Sequence, residues 1–253
     1  LWLKRAYNSG LIKSWSLDLI QNLPLGGFKE WKDDLKKAIT FSPPHISVYD
    51  LNIENGTVFK KLINLGKLEL PSDEEAFRNS QSTHSILKNS GYTRYEISNY
   101  CLPGHQSRHN RVYWSGLGWW SFGQGSTSSP WGEKLTRPRV SKKYKEWVIK
   151  QCEGNLDSSL TNKDFVYEEL DEKIMLGLRL KEGIDIHELF KEQNWGEKKF
   201  KRNLDKLLEK WEGFLENGFL LRKGNRFFLS NPKGMELSNQ ILISMFKWWD
   251  EIN

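Results

Sequence analysis

Cysteine is scarce in this chain, with only Cys101 and Cys152 among 253 residues. That count excludes a secreted disulfide framework, and two thiols distant in sequence cannot supply the ligands of a four-thiolate metal site or an iron–sulfur cluster from this chain alone. Long apolar runs are missing too. None approaches the roughly 20 residues that cross a bilayer, and Leu1-Trp2-Leu3-Lys4-Arg5 lacks the regions of a signal peptide. A cytoplasmic protein without a membrane span is the expectation. One-sided charge is also absent: the formal net charge is +6, but 38 basic residues are interleaved with 32 acidic ones, so the surplus reads as solvated surface and not as a nucleic-acid-binding arm. What is abundant is aromatic. The chain carries 13 Phe, 12 Trp and 8 Tyr, ample for a core, and its length fits one large domain or a large one with a small companion. It opens on Leu1, Leu3, Ala6 and Tyr7 at helical spacing with no cap, which reads as a cut N-terminus.

Apolar patterning predicts a strand at Trp15–Ile20, a helix over 28–40 stopped by Pro43-Pro44, and a second buried strand at Ile46–Leu51. A helix over roughly 73–90 then ends at Gly91 and leads to a third strand, Arg94–Ser98. This alternation predicts an α/β fold with a parallel sheet, open or barrel-like. Residues 99–140 break the pattern with glycines among Tyr113, Trp114, Trp119, Trp120 and Trp131, and an irregular stretch of that length reads as a functional surface. Helical patterning returns from about 141. After 165 it continues to a hairpin around Lys223-Gly224-Asn225 and a last helix from about 233, an order that resembles a winged helix.

In parallel α/β folds ligands sit beyond the carboxyl ends of the strands, where this chain offers Asp18, Asp50, Asn52, Glu54, Glu96, Ser98 and Asn99. Asp18 interrupts a strand apolar enough to be buried on both faces. A buried carboxylate needs a partner, so Asp18 reads either as a structural acid or as a hydroxyl- or ammonium-binding acid of a cofactor pocket. His105 and His109 flank Arg108 in an expected loop and read first as surface residues; imidazole beside aromatic faces also suits an axial haem ligand. Gly123 and Gly125 form a Gly-x-Gly whose plainest reading is a strand end with close backbone approach. No Ser or Cys shows a nucleophile-plus-base arrangement.

Five ordered motifs carry a resemblance: Trp15–Ile20 with Leu23-Pro24, His45–Tyr49 with Ile53–Thr57, Gly91-Tyr92 through Tyr95–Asn99, Arg108-His109-Asn110 through Tyr113-Trp114, and Ile174–Leu180 with Glu182-Gly183-Ile184. Together they resemble the second half of the HemW-type proteins, the radical S-adenosylmethionine (SAM) relatives of oxygen-independent coproporphyrinogen III oxidase. The resemblance implies a partial radical-SAM-type (β/α) barrel over 1–140, a connecting helix and linker over 141–164, and a mainly helical, winged-helix-like domain over 165–253. It implies SAM at Asp18, with Asn52, Gly123 and Gly125 near where the oxidase branch holds a second SAM, although the side chains differ there. It also implies haem at His109, with Tyr113 and Trp114 as an apolar wall.

The Cys-x-x-x-Cys-x-x-Cys loop and Gly-rich segment that hold the family's [4Fe–4S] cluster and the SAM amino group are not in this sequence. The chain alone is therefore expected to be inactive in radical chemistry, as the downstream part of a longer protein or a degenerate copy. The leading expectation is haem or porphyrin binding and delivery to a haem-acceptor protein. The alternatives are coproporphyrinogen III dehydrogenation by a complete protein and a non-catalytic nucleic-acid module using Lys198-Lys199 to Lys210. Those lysines fall mostly on the solvent face of a helix, which argues against nucleic acid.

Overall fold

The structure, a computed structural model, describes residues 2–24, 27–154 and 169–252. The expected linker over 141–164 and the start of the expected C-terminal domain at 165 therefore lie partly outside the described residues.

A short helix, α1 (Trp2–Asn8), precedes strand β1 (Ser16–Gln21). Helix α2 (Phe28–Thr40) buries Trp31, Leu35 and Ala38 on one side, and the chain leaves it through Ser42 at φ 54° before Pro43-Pro44 and strand β2 (His45–Asp50). Helix α3 (Val58–Asn64), which the apolar pattern does not reveal, is capped by Thr57, whose side chain accepts from the Lys60 amide. Helix α4 (Asp73–Asn89) starts on a full capping box between Ser72 and Glu75, with Asp73 and Glu74 also acidic in its first turn. Leu35, Trp31, Ile46, Val48, Leu87, Tyr92 and Tyr100 form the core between these helices and the sheet.

The sheet departs from the expected all-parallel arrangement. Strands β1 and β2 pair parallel, in register Ser16↔His45 through Gln21↔Asp50. The expected third strand at Arg94–Ser98 is instead a hairpin between β3 (Thr93–Arg94) and β4 (Asn99–Cys101), and β4 runs antiparallel to β2. Side chains explain the turn. The Tyr95 amide reaches the Asn99 carbonyl at 3.1 Å, Arg94 Nε donates to the Ile97 carbonyl at 2.9 Å, and Glu96 Oε1 accepts the Ser98 amide at 2.9 Å. Among the described residues the resulting sheet is open, ordered β1-β2-β4-β3.

Helix α5 (Arg108–Trp114) follows, then a small ladder of β5 (Thr127–Ser128) and β6 (Leu135–Thr136), and α6 (Ser141–Cys152). Buried Arg137 organises this aromatic stretch: its Nη1 donates to the hydroxyls of Ser121, Ser126 and Ser128. Gly118 is required sterically, since a Cβ there would stand 2.3 Å from the Pro130 carbonyl oxygen.

The remaining elements are α7 (Leu170–Arg179), β7 (Ile184–Asp185), α8 (Ile186–Lys191), α9 (Glu197–Glu216), β8 (Leu220–Lys223), β9 (Arg226–Leu229), α10 (Lys233–Glu236) and α11 (Ser238–Ile252). The helices pack on an antiparallel β7-β9-β8 sheet around a second core, where Phe190 stacks on Trp248 and the Trp248 indole donates to the Asn203 carbonyl at 2.9 Å. Lys198, Lys201, Arg202 and Lys206 on α9 share their surface with Asp205 and Glu209, so that face is mixed in charge. Among the described residues no helix is long and apolar enough to cross a membrane.

The β3–β4 hairpin joins the two cores. Glu236 receives Arg94 Nη1 at 2.7 Å and the Ser80 hydroxyl at 2.5 Å, while the Lys181 amide donates to the Tyr95 carbonyl at 3.0 Å.

Candidate functional site

Alternation along β1 and β2 sorts their side chains onto two faces. Leu19, Ile46 and Val48 go to the helix-covered core. The register places Ser16, Asp18 and Ile20 beside His45, Ser47 and Tyr49 on the other face. That face, apart from Ile20, lines a cavity of about 680 Å3, closed on the far side by Gly104–Arg108 and Asn110. Asp18 is exposed there, which corrects the expected buried carboxylate. The reason is topological: β1 is the outermost strand of the described sheet and its second face meets a cavity and no helix. Of the expected SAM residues, Asp18 thus sits in a ligand-sized space with a free approach to its carboxylate.

Behind Asp18 runs a hydrogen-bonded chain. Ser16 Oγ donates to Asp18 Oδ1 at 3.3 Å and lies 2.8 Å from His45 Nδ1; His45 Nε2 lies 2.9 Å from the Tyr95 hydroxyl, which accepts the Ser107 amide at 3.3 Å. One proton arrangement satisfies every link: His45 Nδ1–H donates to Ser16 Oγ, and the Tyr95 O–H donates to His45 Nε2. It requires a neutral imidazole. Burial pushes the His45 pKa below 6.5, outweighing the opposing pull of Asp18, and burial raises the Tyr95 hydroxyl to about 12. This chain ties Asp18 to Ser107, the residue that caps α5 by accepting the Asn110 amide at 3.2 Å. Sequence reasoning did not single out His45 or Tyr95 as partners, because 50 residues separate them.

Helix α5 carries the expected haem residues, so His109 is helical and not in a loop. Its exposed ring meets Tyr113 edge-on at 4.9 Å, and Tyr113 meets Trp119 at 4.8 Å. Trp114 does not join that wall. One residue on, it turns about 100° around the helix and lies beneath the Arg179 guanidinium, 4.2 Å from its ring centre. Asn52 is exposed at the rim of an adjoining polar cavity of about 510 Å3, which shares Tyr49 and Asn110 with the first and lies between the hairpin and the ends of α5, α7 and α10. Gly123 and Gly125 line neither cavity; they form a turn at φ 95° and 69° closed by the Gly125 amide on the Pro138 carbonyl at 3.0 Å. The close backbone approach read for Gly-x-Gly is absent at Gly123, where a Cβ would meet nothing within 4 Å, while a Cβ at Gly125 would stand 3.2 Å from Arg139 Cγ; the structure does not bring the turn to Asp18.

Cys101 is buried in β4, where burial raises its thiol pKa, and Cys152 is exposed; both are free. Among the described residues no three His, Cys, Asp or Glu side chains converge as metal ligands. The residues present therefore do not fit an iron–sulfur cluster.

No protein-family model matches the chain. It is 35% identical to the heme chaperone HemW of Synechocystis, over 95% of this chain and 60% of that protein. It is 28% identical to HemW of Bacillus subtilis over 89% of this chain and 57% of the relative. A mitochondrial radical S-adenosyl methionine domain-containing protein 1 of Danio rerio is 26% identical, over 90% and 50% respectively. Among solved structures, the radical SAM enzyme coproporphyrinogen III oxidase (HemN) of Escherichia coli superposes with a TM-score of 0.66 at 16% identity, over 96% of this chain and 57% of that one. The chain spans between half and about three-fifths of these relatives. The HemN likeness shows the fold.

Proposed function

We propose that this chain is a HemW-type radical SAM protein, as its similarity to heme chaperones supports, and that it serves haem metabolism by binding haem and delivering it to an acceptor protein. The single observation that carries the reading is the 35% identity to a heme chaperone across 95% of the chain. The reading divides the chain into a partial barrel over 1–140, a connection over 141–164 and a winged-helix-like domain over 165–253.

Within it, His109 presents imidazole to solvent with Tyr113 against its edge, which suits an axial ligand to haem iron. Tyr113 and Trp119 would supply the apolar contact, while Trp114, turned to Arg179, serves elsewhere. The Asp18 carboxylate would accept hydrogen bonds from SAM, and Ser16 and His45 fix its orientation from behind. Asn52 lines the adjoining cavity while Gly123 and Gly125 line neither; these three residues are not brought together, and a second SAM is not part of the proposal.

SAM on a reduced cluster supplies radical chemistry in this family. Two cysteines cannot hold that cluster, and this polypeptide is accordingly assigned binding and orientation without catalysis. Coproporphyrinogen turnover is not assigned either, since the HemN likeness at 16% identity bears on the fold alone.

Haem titration tests the reading. Added haem is expected to give a saturable Soret shift that His109→Ala weakens at least about tenfold, the scale of one lost ligand interaction. A titration without a shift, or one that the His109→Ala variant reproduces, removes the haem assignment.

A further inference from the structure

The ladder of β5 and β6 holds a buried cation that neither the haem nor the SAM assignment uses. Arg137 is only 7% exposed and makes no ion pair among the described residues. Its Nη1 serves the fold, donating to Ser128 Oγ at 2.8 Å, Ser121 Oγ at 3.2 Å and Ser126 Oγ at 3.3 Å. The Trp147 ring lies 5.5 Å from the guanidinium carbon, and Tyr144 stacks on Trp147 in turn. Nε and Nη2 have no hydrogen-bond partner among the described residues. They are not sealed, however: both keep solvent contact, whereas the equally unpartnered Nε of Arg179 is buried.

A buried charge is costly unless an opposite charge or a full set of hydrogen bonds answers it. Here three hydroxyls answer one nitrogen of the guanidinium. The remaining edge, Nε–H beside Nη2–H, is the parallel pair of donors that takes a carboxylate in a bidentate grip. A side chain needed only to tie the ladder together could end in a single donor group; this one carries a spare fork and an uncancelled charge. The surrounding field has the same sign, since α6 contributes Lys142, Lys143, Lys145 and Lys150 against Glu146.

The position of Arg137 narrows the choice of carboxylate. Trp119 Nε1 donates to the Thr127 carbonyl at 3.3 Å, and Ser121 Oγ donates to the same oxygen at 2.5 Å. Arg137 therefore stands three hydrogen bonds from the far ring of the His109–Tyr113–Trp119 wall. A porphyrin is an apolar disc with carboxylates on short arms at one edge, and that wall is an apolar platform with a cation beyond its end. We propose that Arg137 binds a porphyrin propionate through its Nε–Nη2 edge, so that the side-chain carboxylates, and not the macrocycle alone, select and orient the ligand. The inference rests on the porphyrin-binding reading above but requires neither iron nor an axial ligand, and it uses neither Asp18 nor the cavity at Asn52.

The probes are haem and metal-free protoporphyrin IX, each compared with a derivative whose propionates are capped as neutral hydroxyethyl amides. Binding is read from the Soret band for haem and from quenching of tryptophan fluorescence for the metal-free ring. On the parent protein the capped forms are expected to bind about tenfold to a hundredfold more weakly than the free acids, the value of one charge-assisted contact. Arg137→Gln, whose amide can still donate to the serine hydroxyls, is expected to erase that ratio by weakening the free acids, while Lys142→Gln combined with Lys143→Gln leaves it in place. Circular dichroism establishes folding; if the Gln variant does not fold, Arg137→Lys, which keeps the charge without the fork, is expected to lose most of the ratio. Equal binding of free and capped forms to the parent, a ratio that survives in the Arg137 variant, or one that the lysine pair erases equally overturns the proposal and leaves Arg137 a hydrated structural cation. An Arg137-dependent ratio for the metal-free ring without a haem Soret shift upholds it and removes only the His109 ligand. Absence of binding by either ring removes the porphyrin reading, and this inference with it.

Discussion

Replacing Glu236 by Gln removes the anion paired with Arg94 among the described residues. The two side chains are only 12% and 5% exposed, 2.7 Å apart, and 142 residues separate them in sequence. In the variant the guanidinium keeps its bonds to the Ile97 carbonyl, but its charge stays buried without a counter-ion. Breaking a buried pair by removing one partner costs about 3–5 kcal/mol. The retained Ile97 carbonyl contacts and a Gln oriented with its oxygen accepting from Arg94 Nη1 and its NH2 donating to Ser80 Oγ favour the lower end, about 3 kcal/mol. For a chain of this length that corresponds to a melting temperature lower by roughly 6–12 °C. Guanidinium denaturation followed by tryptophan fluorescence measures the loss, and the cycle of the single variants Arg94→Met and Glu236→Met with their double variant isolates the coupling. Because apolar replacement of both partners removes the uncompensated charge, the double variant should lose less than the sum of the two single variants. The reasoning is refuted if Glu236→Gln stays within about 0.5 kcal/mol of the parent, the range of ordinary surface changes.

Both His45 and His84 have pKa values lowered from 6.5, in each case chiefly by burial. The folded state thus holds them neutral while the unfolded chain protonates them below 6.5. Their stabilising contribution is complete above that pH and is lost as pH falls through the lowered folded values; denaturation midpoints across this range should decline, and less steeply in His45→Gln. Trp248→Ala empties the fully buried centre of the second core and should cost about 3–5 kcal/mol by chemical denaturation. Asp18→Asn should leave the fold intact and weaken SAM binding about tenfold by calorimetry, the value of a charged hydrogen bond; unchanged affinity would remove Asp18 from the SAM assignment.

The first half of the fold is legible because its signals are local. Apolar spacing and proline stops define α2, β1 and β2, and Ser72 with Glu75 marks the start of α4. The third strand misleads because Arg94–Ser98 has strand-like composition, while its conformation depends on Arg94 and Glu96 bonding the turn and on Glu236 arriving from α10. The first two contacts are local, but the Arg94–Glu236 pair spans 142 residues and lies in no window of sequence. Asp18 stands out in the sequence, and the structure puts it beside a cavity, yet its exposure is not legible, since composition cannot say which face of an apolar strand lacks a covering helix. His109 lies in a Gly- and Trp-rich stretch that reads as loop; Ser107 caps a single two-turn helix there. The unanswered guanidinium edge of Arg137 is the least legible feature, because unsatisfied hydrogen-bonding capacity exists only in three dimensions.

The outer edge of β1 has a further consequence. A strand at the end of a sheet offers open backbone groups to any second strand, and charge is a common defence against such templating. Asp18 is the only charged residue of β1, with Leu19 and the exposed Ile20 beside it. In this polypeptide by itself, where β1 pairs on one edge only among the described residues, the carboxylate assigned to ligand binding would also oppose edge-to-edge self-association. An Asp18→Asn preparation should show concentration-dependent oligomers in light scattering, so its ligand affinity has to be measured in dilute solution, where edge-to-edge pairing does not compete.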